Sequence, residues 1–236
     1  MRNPTAPEAL QPLSGSSATT AKVADWLAYL SLLGNGCFVT AVIALHLLQP
    51  GLSPLHEAVS YYVHGAHGWL LTLGLLAWGL GSVALLAGLA VTTKGIAGKT
   101  VLSGLAIWSL GVLLGGVFPA DPPGRWDSPP STAGLIHGNA ALLAFVALPI
   151  SALVLARRLR RSPEWHRVAG MLYVVAVASG LSLLGFFMSL VPVIISPGPP
   201  KLIGLTERVL LAVYVAWLGV AAIGILNIPA YRDRTG

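Results

Sequence analysis

The chain reads as an all-α polytopic membrane protein, a bundle of six transmembrane helices with both termini in the cytoplasm. Three observations predict this. Hydrophobic residues make up 55% of the 236 positions and charged residues 9%, with a mean hydropathy of +0.78. A soluble domain carries about a quarter charged residues, so this chain cannot build a water-facing surface. The apolar residues form six runs, about 26–48, 68–93, 98–119, 134–156, 165–191 and 202–228, each long enough for a hydrocarbon core that needs roughly 20 residues. Basic residues alternate from loop to loop. The tail, the second and fourth loops and the C-terminus hold Arg2, Lys22, Lys94, Lys99, Arg157, Arg158, Arg160, Arg161, Arg167, Arg232 and Arg234, whereas the odd-numbered loops hold Arg125 and Lys201 alone. The positive-inside rule then sets the orientation, and the expected location is the cell (plasma) membrane.

A β-barrel does not fit, because barrel strands alternate over about ten residues and these runs are apolar throughout. In lipid each backbone N–H and C=O must be paired, and a helix does this segment by segment. Residues 1–24 are expected to form a disordered cytoplasmic tail rich in Pro, Ser, Thr and Ala, 25–229 the membrane domain, and 230–236 a short cytoplasmic tail. The start lacks a basic region followed by a short apolar core and an Ala-x-Ala site, so the first span is expected to be an uncleaved anchor.

In the first span, Asn35 between Gly34 and Gly36 is an intramembrane amide that seeks an interhelical partner, and Cys37 is expected to be buried. His46 near its end suits packing or the interface. The first loop, Ser53 to His67, is too polar to span and is expected to lie along the interface as a short helix. Tyr61, Tyr62, Trp69 and Trp126 suit the headgroup belt. His56, Glu57 and Tyr61 are candidate ligand contacts. His64 and His67, three apart, are candidate ligands for a divalent metal, a weak signal by itself.

Glycines recur on the middle spans: Gly74, Gly81 and Gly88 on the second, and Gly104, Gly111 and Gly115 on the third. Such spacing lets helices approach closely, and internal packing is the preferred reading over dimerisation. The short Lys94–Lys99 connection predicts an antiparallel hairpin of spans two and three. Pro149 and Pro192 are candidate kinks. The run Arg157–Arg161 reads as an anchor on anionic lipid, in preference to a nucleic-acid site. His166 lies apart from every cluster.

The remaining ionisable groups collect at the His-rich end. Phe118-Pro119-Ala120-Asp121-Pro122-Pro123 closes the third span, Gly134-Leu135-Ile136-His137 opens the fourth, and Glu207-Arg208 lies just inside the sixth. A charge one or two turns into hydrocarbon costs several kcal/mol unless it finds a partner or water. Asp121, His137 and Glu207 are therefore candidate catalytic residues and Arg208 a candidate ligand contact. Asp121 equally suits a cap on the turn, and Glu207 and Arg208 equally suit polar ties between helices. Arg125 and Asp127 read as loop residues facing water.

The pattern Phe118-Pro119-x-Asp121-Pro122, Gly134-x-x-His137 and a last span opening near Glu207-Arg208 resembles a prokaryotic membrane family known as domain of unknown function 998. The resemblance covers about residues 25–228 and implies a six-helix integral membrane protein, with no agreed substrate. The His-rich first loop is not carried over from it.

Several functions fit. One is an outward-facing site binding a lipid or small amphipathic ligand and able to hydrolyse it, with His137 as general base oriented by Asp121 or with a metal activating water. The chain lacks Gly-x-Ser-x-Gly and His-Glu-x-x-His. A small-solute or ion transporter is the alternative, although no internal repeat relates the two halves. An accessory or structural subunit fits as well. A bis-histidine haem site on His67 and His137 ranks last. Membrane lipid is the expected partner; no nucleic acid is expected, and no oligomeric state follows.

Overall fold

The computed structural model describes residues 15–93, 95–124, 128–195 and 201–228. Arg125, Trp126, Asp127, Lys94 and both ends of the chain, with Arg2, Arg232 and Arg234, lie outside the described residues. Six long helices follow in order: α1 (Gly15–Leu48), α2 (Trp69–Thr92), α3 (Gly98–Val117), α4 (Thr132–Leu159), α5 (His166–Ile195) and α6 (Ile203–Leu226), with a short 3₁₀ turn at Val59–His64 after α1. All six are long and apolar enough to cross a membrane. The protein is a six-helix multi-pass membrane bundle.

Two boundaries differ from the sequence reading. α1 begins at Gly15, so part of the stretch read as tail is helical. α5 continues through Pro192 to Ile195, although the proline supplies no N–H for the Met188 carbonyl.

Consecutive helices are neighbours, and α6 returns to pack on α1. The bundle is therefore a closed ring, with α2 and α6 also touching across it. Glycine sets the close approaches. Gly81 and Gly34 face each other across α1 and α2, where a Cβ on Gly81 would meet the Gly34 Cα at 3.1 Å. A Cβ on Gly111 would meet Ala144 Cβ at 2.6 Å and the Ala140 carbonyl at 2.7 Å, so α3 and α4 touch through their backbones. Packing of this kind replaces the hydrophobic drive that lipid removes. The glycine stripes thus serve internal packing.

Asn35 finds its partners. Its Oδ1 accepts the Trp78 indole N–H at 2.6 Å and its Nδ2 donates to the Val215 carbonyl at 3.4 Å, which ties α1, α2 and α6 together. Ser82 Oγ donates to the Trp78 carbonyl and accepts from Trp108 Nε1. Around these groups the rings interlock: Phe38 stacks on Trp78 at 4.1 Å, Trp78 meets Trp108 edge-on at 4.9 Å, and Trp108 meets Tyr214 at 5.4 Å. Cys37, expected inside, instead faces out of the bundle, because the neighbouring Phe38 takes the inward position.

At the end carrying the arginine run, Arg158 Nη1 donates to the carbonyls of Ile96 and Ala97 and holds the α2–α3 connection in its hairpin. Arg160 lies over the Tyr173 ring.

Gly111→Leu should lower stability by about 1–3 kcal/mol through overpacking of α3 against α4. Gly36→Leu, where a Cβ meets nothing within 4 Å, should leave it unchanged. Thermal unfolding of the purified variants in detergent checks both.

Candidate functional site

At the other end, the helix termini and the first loop enclose a cavity of about 560 Å³, lined by residues from all six helices. Asp121, His137, Glu207 and Tyr61 line it, with Ser60 and Ser128. The remaining lining is apolar. Phe38, Trp78, Phe145 and Phe186 form its floor, each roughly three helical turns inboard of its own helix end. Tyr214 closes the cluster beneath by donating its O–H to the Phe145 carbonyl at 2.6 Å.

Each polar group is placed by local backbone need. α3 ends at Phe118, whose carbonyl has no helical partner. His137 Nδ1 lies 2.9 Å from that carbonyl. A carbonyl only accepts, so Nδ1 carries the hydrogen; in its neutral form the ring then presents Nε2 as a lone pair. Among the described residues Nε2 has no hydrogen-bond partner. Gly115 flanks the ring, with a notional Cβ at 3.7 Å from His137 Cε1, so a larger residue there would crowd it.

Asp121 accepts the Ser131 N–H at 3.0 Å, and Ser131 Oγ caps α4 by accepting the Gly134 N–H at 3.0 Å. A carboxylate beside a helix N-terminus is favoured by the helix dipole. Any side chain at Gly134 would strike the Asp121 carboxylate, so glycine there lets the acid approach. Asp121 thus caps the return of the chain while lining the cavity.

Glu207 is buried, and its Oε2 accepts the Val59 N–H at 2.6 Å. Its second oxygen has no protein partner among the described residues. Arg208, one residue on, points elsewhere, since adjacent helical residues do not share a face. Its Nε donates to His46 Nε2 at 2.9 Å, and its Nη1 to the carbonyls of Glu57 at 2.8 Å and Gly204 at 2.9 Å. The guanidinium also lies over Tyr62, which is buried. His46 Nδ1 faces the Val42 carbonyl at 2.7 Å, so this histidine is the neutral Nδ1–H tautomer, fixed from both sides.

The first loop is thereby fastened onto α6. The Leu205 N–H donates to the Leu55 carbonyl, and a Cβ on Gly204 would meet the Glu57 carbonyl oxygen at 2.5 Å and that of Pro54 at 2.6 Å. Glu57 Oε2 closes its own turn by accepting the Ser53 N–H at 2.6 Å. His56 is exposed and pairs with the Lys201 carbonyl. His64 Nε2 sits 2.8 Å from the Ala120 carbonyl, tying the first loop to the third. His67 Nδ1 is buried without a hydrogen-bond partner among the described residues.

The candidates therefore separate. Asp121, His137, Glu207 and Tyr61 share one cavity. Arg208, His56 and Glu57 do not line it; their contacts build the loop that roofs it. The 3₁₀ turn ends at His64, so no continuous helix carries His64 and His67 on one face. Among the described residues no three His, Cys, Asp or Glu side chains stand as a metal-binding group. The headgroup-belt reading fails for Tyr62, which is buried beneath Arg208; Trp69 is exposed. The sequence reading missed the aromatic floor and Gly115 and Gly138 beside His137. Mid-span aromatics at one common depth are the signal that could have found the floor.

These features define a class, a multi-pass helical membrane protein with a mostly apolar cavity at one end that holds a few polar groups. The chain belongs to the family described as "Protein of unknown function (DUF998)", which matches residues 32–224. No curated protein and no solved structure matches it.

Burial pushes the Tyr61 hydroxyl up to about 12 from 10.0, with Glu207 and Glu57 adding to the rise. The folded state thus keeps this proton longer than the unfolded chain. Its contribution to stability is full below about pH 10 and is lost as pH climbs through about 12. Wild-type melting temperature should fall across that window by an increment absent from Tyr61→Phe, as pH-dependent melting curves will register.

Proposed function

We propose that this protein binds one amphiphilic molecule from the surrounding bilayer. Its polar end lies beside His137, Glu207 and Asp121 and its apolar end on the aromatic floor. The observation that carries this is the cavity itself: about 560 Å³, apolar over most of its wall, with its polar groups gathered at the end nearest the loops. Ligand pockets are typically about 300–1,000 Å³, mostly apolar, with a few placed polar groups.

The route of entry lies between α4 and α5. Gly138 and Leu142 line the cavity and are exposed. A Cβ on Gly138 meets nothing within 4 Å, so the wall there is open. The alternating basic loops support an orientation with both termini cytoplasmic, which puts the cavity in the outer leaflet of the cell membrane. The ring cluster from Phe38 through Trp78 and Trp108 to Tyr214 lies beneath the cavity and favours retention over passage, hence binding over transport. Hydrolysis of the bound molecule, with His137 as base, is a finer step that binding does not require.

A long-chain alcohol carrying a diazirine at its tail tests the reading by photo-crosslinking in nanodiscs. Labelling should be saturable, displaced by unlabelled alcohol, and mapped to peptides holding Phe38, Trp78 or Phe145. Gly138→Phe should reduce it roughly tenfold, about 1.4 kcal/mol, with an unchanged melting temperature. Labelling that is confined to outward-facing residues such as Trp26 and Leu33, and is not displaced, would defeat the proposal.

A further inference from the structure

The cavity's polar end is asymmetric in hydrogen-bonding character. We infer that the bound amphiphile carries a hydrogen-bond-donating, neutral or cationic head, an alcohol or an amine, and that carboxylate and phosphate heads are disfavoured. This rests on the binding proposed above and specifies the chemistry of that same site.

Because Nδ1 of His137 is committed as a donor to the Phe118 carbonyl, the ring in its neutral form offers the cavity an acceptor, Nε2. Glu207 adds a buried carboxylate with one oxygen engaged by the Val59 N–H and the other left to the cavity. In its ionised form this carboxyl, in a site partly cut off from water, attracts a donor and repels a second anion more strongly than it would in solution. No Lys or Arg among the described residues lines the cavity. The nearest strong cation on α6, Arg208, donates to His46 and to the Glu57 and Gly204 carbonyls. It is thus directed into the first loop. The hydroxyls of Tyr61 and Ser60 can donate or accept, so they follow whichever head is present and do not set the preference. An ammonium or hydroxyl head reaching Glu207 and His137 Nε2 satisfies both, whereas an anionic head leaves both facing a group that cannot donate. Leaving a buried polar group unpaired is the stronger basis for discrimination.

The test is competition against the diazirine alcohol in nanodiscs by dodecylamine, dodecanol, lauric acid and dodecyl phosphate. Their shared tail keeps the apolar contribution constant. Each is referred to its own measured partitioning into protein-free nanodiscs, so that the comparison reads the site alone. Dodecylamine and dodecanol should displace the probe at concentrations roughly tenfold or more below those of the two anions. Glu207→Gln should narrow the gap between dodecylamine and lauric acid; its amide oxygen can still accept the Val59 N–H, and an unchanged melting temperature would verify that the fold is kept. If Glu207→Gln fails to fold, the wild-type ranking of the four heads decides alone. Equal displacement by all four, or a preference for the anions, overturns this inference while leaving the binding proposal standing. Absence of any saturable labelling by the probe overturns both.

Discussion

Two consecutive residues on the first turns of α6 hold the His-rich end of this bundle together. Glu207 reaches the backbone of Val59 and Arg208 that of Glu57, so one stretch of the first loop is gripped from both sides. Each charge in this position is costly in lipid without partners, and each supplies what the loop lacks. The irregular backbone from Pro54 to Ala58, ahead of the 3₁₀ turn at Val59–His64, has polar groups that no regular helix or sheet satisfies. The two problems solve one another. Because adjacent helical residues point in different directions, the acid turns toward the cavity and the guanidinium toward α1, where His46 receives it.

That fastening has a geometric consequence. With the loop drawn across Gly204, residues Ala58 to Tyr61 become a wall of the cavity. The helices beneath are kept apart by aromatic rings and drawn together by glycine, and the cavity occupies the space where the second effect stops. Gly111 brings α3 against α4, and one turn further Gly115 faces no helix but the His137 ring. The same residue type thus closes the bundle in its middle and opens it at its end.

The fold was legible in the sequence because it depends on composition averaged over twenty or more residues. Nothing local could move six such runs out of lipid. The gathering of Asp121, His137 and Glu207 was legible for a related reason: alternating spans bring every second helix end to one side. Their individual tasks were not legible, because each is decided by a backbone partner distant in sequence. His137 answers Phe118, Asp121 answers Ser131, and Glu207 answers Val59. At His64 and His67 a shared helical period does not hold, because a 3₁₀ turn ends between them. The sequence misled at Cys37, where apolar surroundings on both sides gave no indication of which face of α1 turns outward.

The account stands on the grip of α6 upon the first loop, and hydrogen–deuterium exchange over residues 53–62 in wild type and Arg208→Met reads that grip directly. Methionine keeps much of the side-chain length and removes every donor. The loop amides, Val59 among them, should be protected in wild type and exchange about tenfold faster or more in the variant, in keeping with loss of a hydrogen bond to a charged group, while α3 and α4 stay unchanged. Equal exchange in the two proteins would contradict the account, since the roof of the cavity would then be held by something other than Arg208.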